Sequence, residues 1–309
     1  MEEWKPIIAG VDATVEGAWA GATAWRLAER VGTSCHLVHA VPTAWPLGVS
    51  GPADTVDGAA LRGVVLDSTR KDLERALRGN MPEEALARLI LRVGRPARVL
   101  ADVATEVEAG LVVLGARRHH VLSRWLGGST IIAAARTLET PLLVATSSTA
   151  KIERILTAVD LSEAAGPTIQ MAERFARLFD AALRVVHVVE PVPLVADNSI
   201  SSAASAMEDW TTEVLDANVW PLVTYAGAER VVLHGTTRST LDAEVSTWRA
   251  DLVVAGSHGR GWIDRTLLGS MTEGLLKDLP TSLLVVPVAQ HLALGTGRDA
   301  ERMETIETP

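Results

Sequence analysis

Residues 256–270 read GSHGRGWIDRTLLGS, and a second version of the same phrase, GARRHHVLSRWLGGS, stands at 115–129. In the later version Gly256 and Gly259 open a tight loop directly after the apolar run Leu252–Ala255. Gly269, ten residues beyond Gly259, and Ser270 stand at the start of a helical pattern. Strand, glycine loop and helix N-terminus in that order suit a phosphate, because unpaired backbone N–H groups and the positive end of the helix dipole converge there. The earlier version keeps Gly115, Gly128 and Ser129 but has Arg118 where the second glycine falls. The chain reads as one phosphate-binding unit written twice, once intact and once altered.

Other segments repeat in step with these loops. PIIAGVD at 6–12 aligns with RILTAVD at 154–160, and LVHAV at 37–41 with VVHVV at 185–189, both at an offset of 148 residues. LVVLG at 111–115 aligns with LVVAG at 252–256, and Thr140–Val144 with Thr281–Val285, now at an offset of 141. The stretch between the second and fourth strands is therefore seven residues longer in the first copy. A length of 309 residues accommodates two domains of about 150 residues each.

Within each copy, short apolar runs alternate with longer helical ones, which marks a parallel sheet with crossover helices. The expectation is an α/β chain of two repeated five-stranded parallel-sheet domains, Rossmann-like, with helices on both faces. Strands are expected at 5–11, 35–41, 87–93, 111–115 and 141–146, and helices at 15–31, 57–79, 96–109 and 128–138. In the second copy strands are expected at 153–159, 183–189, 229–234, 252–256 and 282–287, and helices at 163–180, 203–224, 239–250 and 269–278. Thr14 and Ser162 stand where N-caps belong. Segments 42–56 and 190–202, rich in Pro, Gly, Ser and Ala, read as surface loops. The domains are placed at 1–147 and 151–289 with a linker near Ser147–Lys151, and the polar stretch 290–309 reads as a disordered tail.

A hydrophobic share of 48% can fill two cores, and 22% charged residues is an ordinary surface. The acidic start MEEWKPIIAGVD runs straight into a strand pattern and does not resemble a signal peptide. No apolar run approaches the roughly 20 residues that cross a bilayer. Cys35 is the only cysteine, which excludes a disulfide framework and a cysteine metal site. A cytoplasmic location is expected. The net charge of −9 is uneven: residues 1–150 hold 16 Lys+Arg against 16 Asp+Glu, and the remainder 13 against 22. This balance speaks against general nucleic-acid binding, which needs a basic face. Arg117, Arg118 and Arg124 with His119 and His120 form the one local basic cluster, either a solvated loop or a phosphate contact.

In an open parallel sheet, ligands bind outside the carboxyl ends of the strands where strand order reverses. Asp12 and Asp160 end the first strand of each copy, and the His39–Ala40 and His187–Val188 pairs end the second. The glycine loop and helix start follow the fourth. Glycine at 256 and 259 lets a ligand approach the backbone, and the N–H groups of Gly269, Ser270 and Met271 with the Ser270 hydroxyl suit a phosphate. The same glycines also serve merely to turn the chain. Asp160 either caps the following turn or meets a ribose, base or divalent cation; sequence leaves both open. His39 and His187 read as satisfied core histidines, and His258, on the loop itself, as a polar contact for a ligand.

Several motifs are missing. There is no GxxxxGK[ST] loop, no GxGxxG after either first strand, no GxSxG elbow and no HExxH helix. The nine tryptophans are scattered over helices and loops and read as packing residues.

The spacing G-x2-G-x9-G-[S/T], here Gly256, Gly259, Gly269 and Ser270, resembles the ATP-binding signature of the universal stress protein family. The VD closing strand one, the HV closing strand two and the final LLVVP strand resemble it too, and the likeness covers about 1–146 and 151–288. It implies a tandem member with a fold like the adenine nucleotide alpha hydrolases. By that resemblance Asp160 and Val188 lie around adenine and ribose, Gly256, Gly259, Gly269, Ser270 and Met271 hold ribose and phosphates, and Mg2+ or Mn2+ accompanies ATP. It also implies pairing through the fifth strands, here 141–146 with 282–287, a pseudo-dimer within one chain that covers two sheet edges; a homodimer of whole chains is compatible with it. The first copy departs from the pattern at Arg118 and at Ala40, which replaces the valine. The Arg118 side chain either blocks the backbone approach or pairs with a phosphate. Asp12, Gly115, Gly128, Ser129 and Thr130 remain, so a weaker first site is expected. The resemblance implies an adenine nucleotide sensor or buffer of the stress response that acts through protein partners. A slow ATPase and an interaction module without nucleotide are the alternatives.

Overall fold

A computed structural model describes residues 3–42, 56–116, 128–147, 151–191, 200–258 and 268–288. Of the loops expected at 42–56 and 190–202, residues 43–55 and 192–199 fall outside these residues, as do the centres of both glycine loops, with Arg118 and Gly259, most of the linker, and the tail; 200–202 are helical rather than loop.

In the first half the elements run β1 (Ile7–Gly10), α1 (Val15–Val31), β2 (Cys35–Val41), α2 (Val56–Leu77), α3 (Glu83–Ala87), β3 (Leu89–Val93), α4 (Pro96–Glu106), β4 (Leu111–Gly115), α5 (Gly128–Thr137) and β5 (Leu142–Ala145). The second half repeats the order with β6 (Arg154–Ala158), α6 (Ala165–Phe179), β7 (Ala182–Val189), α7 (Ile200–Val214), β8 (Glu229–His234), α8 (Thr237–Trp248), β9 (Leu252–Gly256), α9 (Ser270–Lys277) and β10 (Ser282–Val286).

The ten strands form one sheet in the order β3-β2-β1-β4-β5-β10-β9-β6-β7-β8. Pairing is parallel inside each half and antiparallel where the halves meet, with Leu283 opposite Val144 and Val285 opposite Leu142. The expected fifth-strand pairing is therefore present, and it leaves β3 and β8 as the outer strands. The central strands are continuous apolar runs because helices cover both faces. On one face Leu27 of α1 and Phe175 of α6 belong to the same buried cluster, and on the other Val103 of α4 and Leu275 of α9 belong to a second. Each cluster spans both halves.

Polar contacts reinforce the seam. The Arg136 guanidinium lies 2.9 Å from the Glu273 carboxylate, and Arg30 Nε donates to the Leu178 carbonyl at 3.0 Å. Trp4 meets Phe175 edge-on at 5.7 Å, and the Arg174 guanidinium stacks 3.8 Å from the Trp4 ring centroid.

Local chemistry adjusts several boundaries. Thr14 caps α1 as expected, its hydroxyl accepting from the Gly17 N–H at 3.1 Å. Ser162 does not cap α6: it sits in a preceding turn, and the helix begins at Ala165. The short α3 takes residues at the start of the strand expected at 87–93; Pro82 precedes it, and Glu83 and Glu84 complement its amino end. The helix expected over 203–224 is α7, which widens into a π turn at Leu215–Val219 and tightens to a 3-10 turn at Trp220–Leu222. Pro221 cannot donate a helical hydrogen bond there. Among the described residues no helix is long and apolar enough to cross a membrane.

Candidate functional site

Strand order turns back between β1 and β4 in the first half and between β6 and β9 in the second, and these are the points where open α/β sheets take ligands. In the second half β6 passes through Val159 to a half-buried Asp160. Asp160 Oδ1 accepts the Ser162 N–H at 3.1 Å and the Ser162 hydroxyl at 2.5 Å, and Ser162 Oγ accepts the Ala164 N–H at 3.2 Å. One carboxylate oxygen thus fixes the turn that presents this residue.

The adjacent strand steadies the same point. His187 Nδ1 donates to the Val159 carbonyl at 2.9 Å, and the Val159 N–H donates to the Val186 carbonyl. A carbonyl only accepts, so the ring hydrogen is on Nδ1. His39 makes the matching bond to the Val11 carbonyl at 2.7 Å. Both histidines tie the second strand to the residue before the aspartate; His39 is half-buried rather than core, and His187, though buried, lines the adjoining cavity.

The phosphate-binding end is assembled from β9 and α9. Thr272 Oγ1 donates to the Gly256 carbonyl at 2.7 Å, the Gly269 N–H donates to the Ser257 carbonyl at 2.9 Å, and the Ser257 N–H donates to the Val286 carbonyl at 2.8 Å. Gly269, at the N-cap of α9, has ψ 140°, and no side chain among the described residues caps the helix. Its first N–H groups lack intrahelical partners by construction. The Ser257 hydroxyl lies 2.9 Å from His258 Nδ1, whereas His258 Nε2 is buried with no hydrogen-bond partner among the described residues.

Between these parts is a cavity of about 240 Å³. Asp160, Val188, Gly256, His258, Gly269, Ser270 and Met271, all expected from sequence, line it together. Thr168, Thr237 and Thr272 also line it, and the sequence reading missed all three. A signal existed for Thr272, two residues past the Gly-Ser pair, and for Thr237, first in its helix after Gly235. Thr168 lies inside a helix and carries no such mark. Glu190 Oε1 accepts the Thr237 N–H at 3.0 Å and the Thr237 hydroxyl at 2.6 Å, which holds the Glu190 carboxyl below its usual range.

In the first half Asp12 Oδ1 accepts the Thr14 N–H at 3.0 Å and the Thr14 hydroxyl at 2.5 Å, and Asp12 is exposed. Ala40 lies near the end of β2, Gly115 ends β4, and Gly128, Ser129 and Thr130 begin α5. The expected residues are placed at the same strand and helix ends as their second-half equivalents.

The model of the universal stress protein family matches residues 3–146 and again 151–287. The chain belongs to the universal stress protein family. It carries two such units in tandem. It is similar to the universal stress protein A homolog of Haemophilus influenzae, 29% identical over 139 residues that span 44% of this chain and 96% of that protein. It is also similar to a Thermus aquaticus protein described as "Universal stress protein in QAH/OAS sulfhydrylase 3′ region", 27% identical over 132 residues, 43% of this chain and 96% of the other. A putative universal stress protein of Pseudomonas aeruginosa, 18% identical, shares the fold over 92% of this chain and 93% of its own, with a TM-score of 0.60.

Proposed function

We propose that the second half binds an adenine nucleotide, ATP in the first instance, and that the protein acts in the cytoplasm as a nucleotide sensor or buffer working through protein partners. The observation that carries this reading is the uncapped amino end of α9 opening on the cavity that Asp160 and Val188 border. A helix N-terminus offers N–H groups and a favourable field to an anion. The buried Nε2 of His258, unpartnered among the described residues, supports it further, since a buried polar atom without a partner is costly unless a ligand or water supplies one. The cavity is smaller than the about 300–1,000 Å³ usual for drug-sized ligands, so base and sugar occupy it while the phosphates extend past the exposed Ser270.

Mg2+ or Mn2+ fits as a companion of the phosphates. Among the described residues no three His, Cys, Asp or Glu side chains are grouped to hold a metal by themselves. Mg2+ usually binds through one or two carboxylates together with substrate phosphates, and Asp160 is the carboxylate lining the cavity. The ion would there neutralise phosphate charge.

Acid extraction of the purified protein, with chromatography of the supernatant, tests the reading. Adenine nucleotide is expected in the extract, and Gly259→Arg is expected to remove most of it. An extract without adenine nucleotide, together with no thermal shift on adding Mg-ATP, would overturn it.

A further inference from the structure

Apart from α3, which has no counterpart in the second half, the halves repeat in the same element order, so their equivalent positions can be compared directly. Ala9 pairs with Val113 in the first half and Thr157 with Val254 in the second, which sets the offset at 148 residues on the first strand and 141 on the fourth. Gly10 then corresponds to Ala158, Glu16 to Ala164, Leu114 to Ala255 and Gly115 to Gly256.

These equivalent residues do different things. In the second half Ala158 lines the cavity, and its neighbour across the sheet, Ala255, is small. In the first half Leu114 takes the place of Ala255. Its Cδ2 methyl lies so close over Gly10 that a Cβ on that glycine would stand 2.4 Å from it, with Leu100 Cδ2 at 3.2 Å. The Leu114 side chain thus covers the position that in the second half is Ala158 at the cavity wall; Leu100 does not distinguish the halves, since its counterpart Leu241 lines the cavity.

The first helix closes the other side. α1 begins at Val15, whereas α6 begins at Ala165, two positions later on the shared frame. A Cβ on Gly115 would lie 1.8 Å from the Glu16 carbonyl oxygen. On Gly256 the nearest atoms to such a Cβ are Ala164 Cβ and the His258 carbonyl oxygen at 3.2 Å and Thr168 Oγ1 at 3.3 Å. Gly17, whose Cβ would stand 2.4 Å from Asp12 Oδ1, lets α1 settle this near. The three cavity threonines Thr168, Thr237 and Thr272 have Ala20, Pro96 and Ile131 as counterparts. That exchange removes three hydroxyls and, at Pro96, a backbone donor.

We infer that the first half takes no nucleotide: its site has been converted into core, and the chain holds a single ligand in the second half. The first half then serves as a permanently attached sheet partner for β10. This inference rests on reading the second-half cavity as a nucleotide site. Equilibrium dialysis of nucleotide-stripped full-length protein against radiolabelled Mg-ATP counts ligands per chain, and photolabelling with 2-azido-ATP followed by peptide mapping locates them. One ligand per chain is expected, with label confined to peptides from residues 151–288. Two ligands per chain, or label on peptides from the first half, overturns the inference while leaving nucleotide binding intact. Absence of binding up to millimolar Mg-ATP instead overturns the nucleotide reading, and this inference falls with it.

Discussion

The Thr272 hydroxyl donates a 2.7 Å hydrogen bond to the carbonyl oxygen of Gly256, joining the first turn of α9 to the last residue of β9. With the bond from the Gly269 N–H to the Ser257 carbonyl, it fixes the helix amino end against the sheet independently of the loop between them. Thr272 is 1% exposed even though it lines the cavity. Thr272→Val keeps the shape and deletes the donor, which is expected to cost about 1–2 kcal/mol of stability. Mg-ATP affinity should fall several-fold as the amino end loosens, and Thr272→Ser should restore most of both. Denaturant unfolding and titration calorimetry read the two effects; unchanged affinity in the valine variant would separate this bond from the site.

Glu173 gives the second half an acid-sensitive joint. Its carboxylate, buried on α6, accepts the Thr224 N–H at 2.5 Å, the Thr224 hydroxyl at 2.6 Å, the Tyr225 N–H at 2.7 Å and the Arg177 guanidinium at 2.6 Å. Burial alone would raise this carboxyl, but those donors outweigh it and hold it below its ordinary value. A depressed carboxyl contributes stability above its unfolded pKa and loses it as pH falls through the lower folded value. Unfolding free energy should therefore decline below about pH 4.5, the usual glutamate range. Glu173→Gln should cost about 1.5–3 kcal/mol at neutral pH, as for hydrogen bonds to a charged group, and should flatten part of that acid slope.

Cys35 is expected to be inert in the folded protein. It is 2% exposed at the start of β2, and burial pushes its thiol up to about 12 against a weaker opposing pull from Arg88. The thiolate is the reactive form, so native protein at pH 8 should resist iodoacetamide and react only once unfolded. The raised value also means that alkaline pH favours the unfolded chain once its thiol ionises, so stability should begin to fall above about pH 9. Mass spectrometry of labelled native and urea-unfolded samples checks the first point, and fast native labelling would refute it.

The repeat and the parallel sheet are legible in the sequence because strand runs such as LVVLG and LVVAG are continuous, apolar and evenly offset; the joining of the fifth strands follows only from the family resemblance. Helix ends are less legible. Ser162 has the residue type of a cap, yet Asp160 draws its hydroxyl into a turn and the helix starts later. The break after α7 comes from Pro221 inside an otherwise helical pattern. In the site, residues flanking the glycine loop and strand ends announce themselves by type and place. Thr168 and the exchange of Ala255 for Leu114 do not, because both are ordinary residues whose meaning depends on what lies across the sheet.

The contrast between Gly115 and Gly256 gives a last, direct prediction. Both end the fourth strand of their half and both precede a glycine-type loop, so sequence alone assigns them one role. At Gly115 an added methyl meets the Glu16 backbone carbonyl at 1.8 Å, and backbone inside a capped helix cannot swing aside. Gly115→Ala should therefore destabilise by at least the about 1–3 kcal/mol typical of overpacking. At Gly256 the contacts are 3.2–3.3 Å, near enough to be absorbed by small shifts, so Gly256→Ala should cost less than about 1 kcal/mol. Its effect should fall on the ligand instead, because that methyl would stand at the cavity wall: Mg-ATP affinity should drop while the unfolding midpoint barely moves. Comparable destabilisation by the two alanines would mean that α1 and α6 approach their strands alike, and the closed first half would no longer follow.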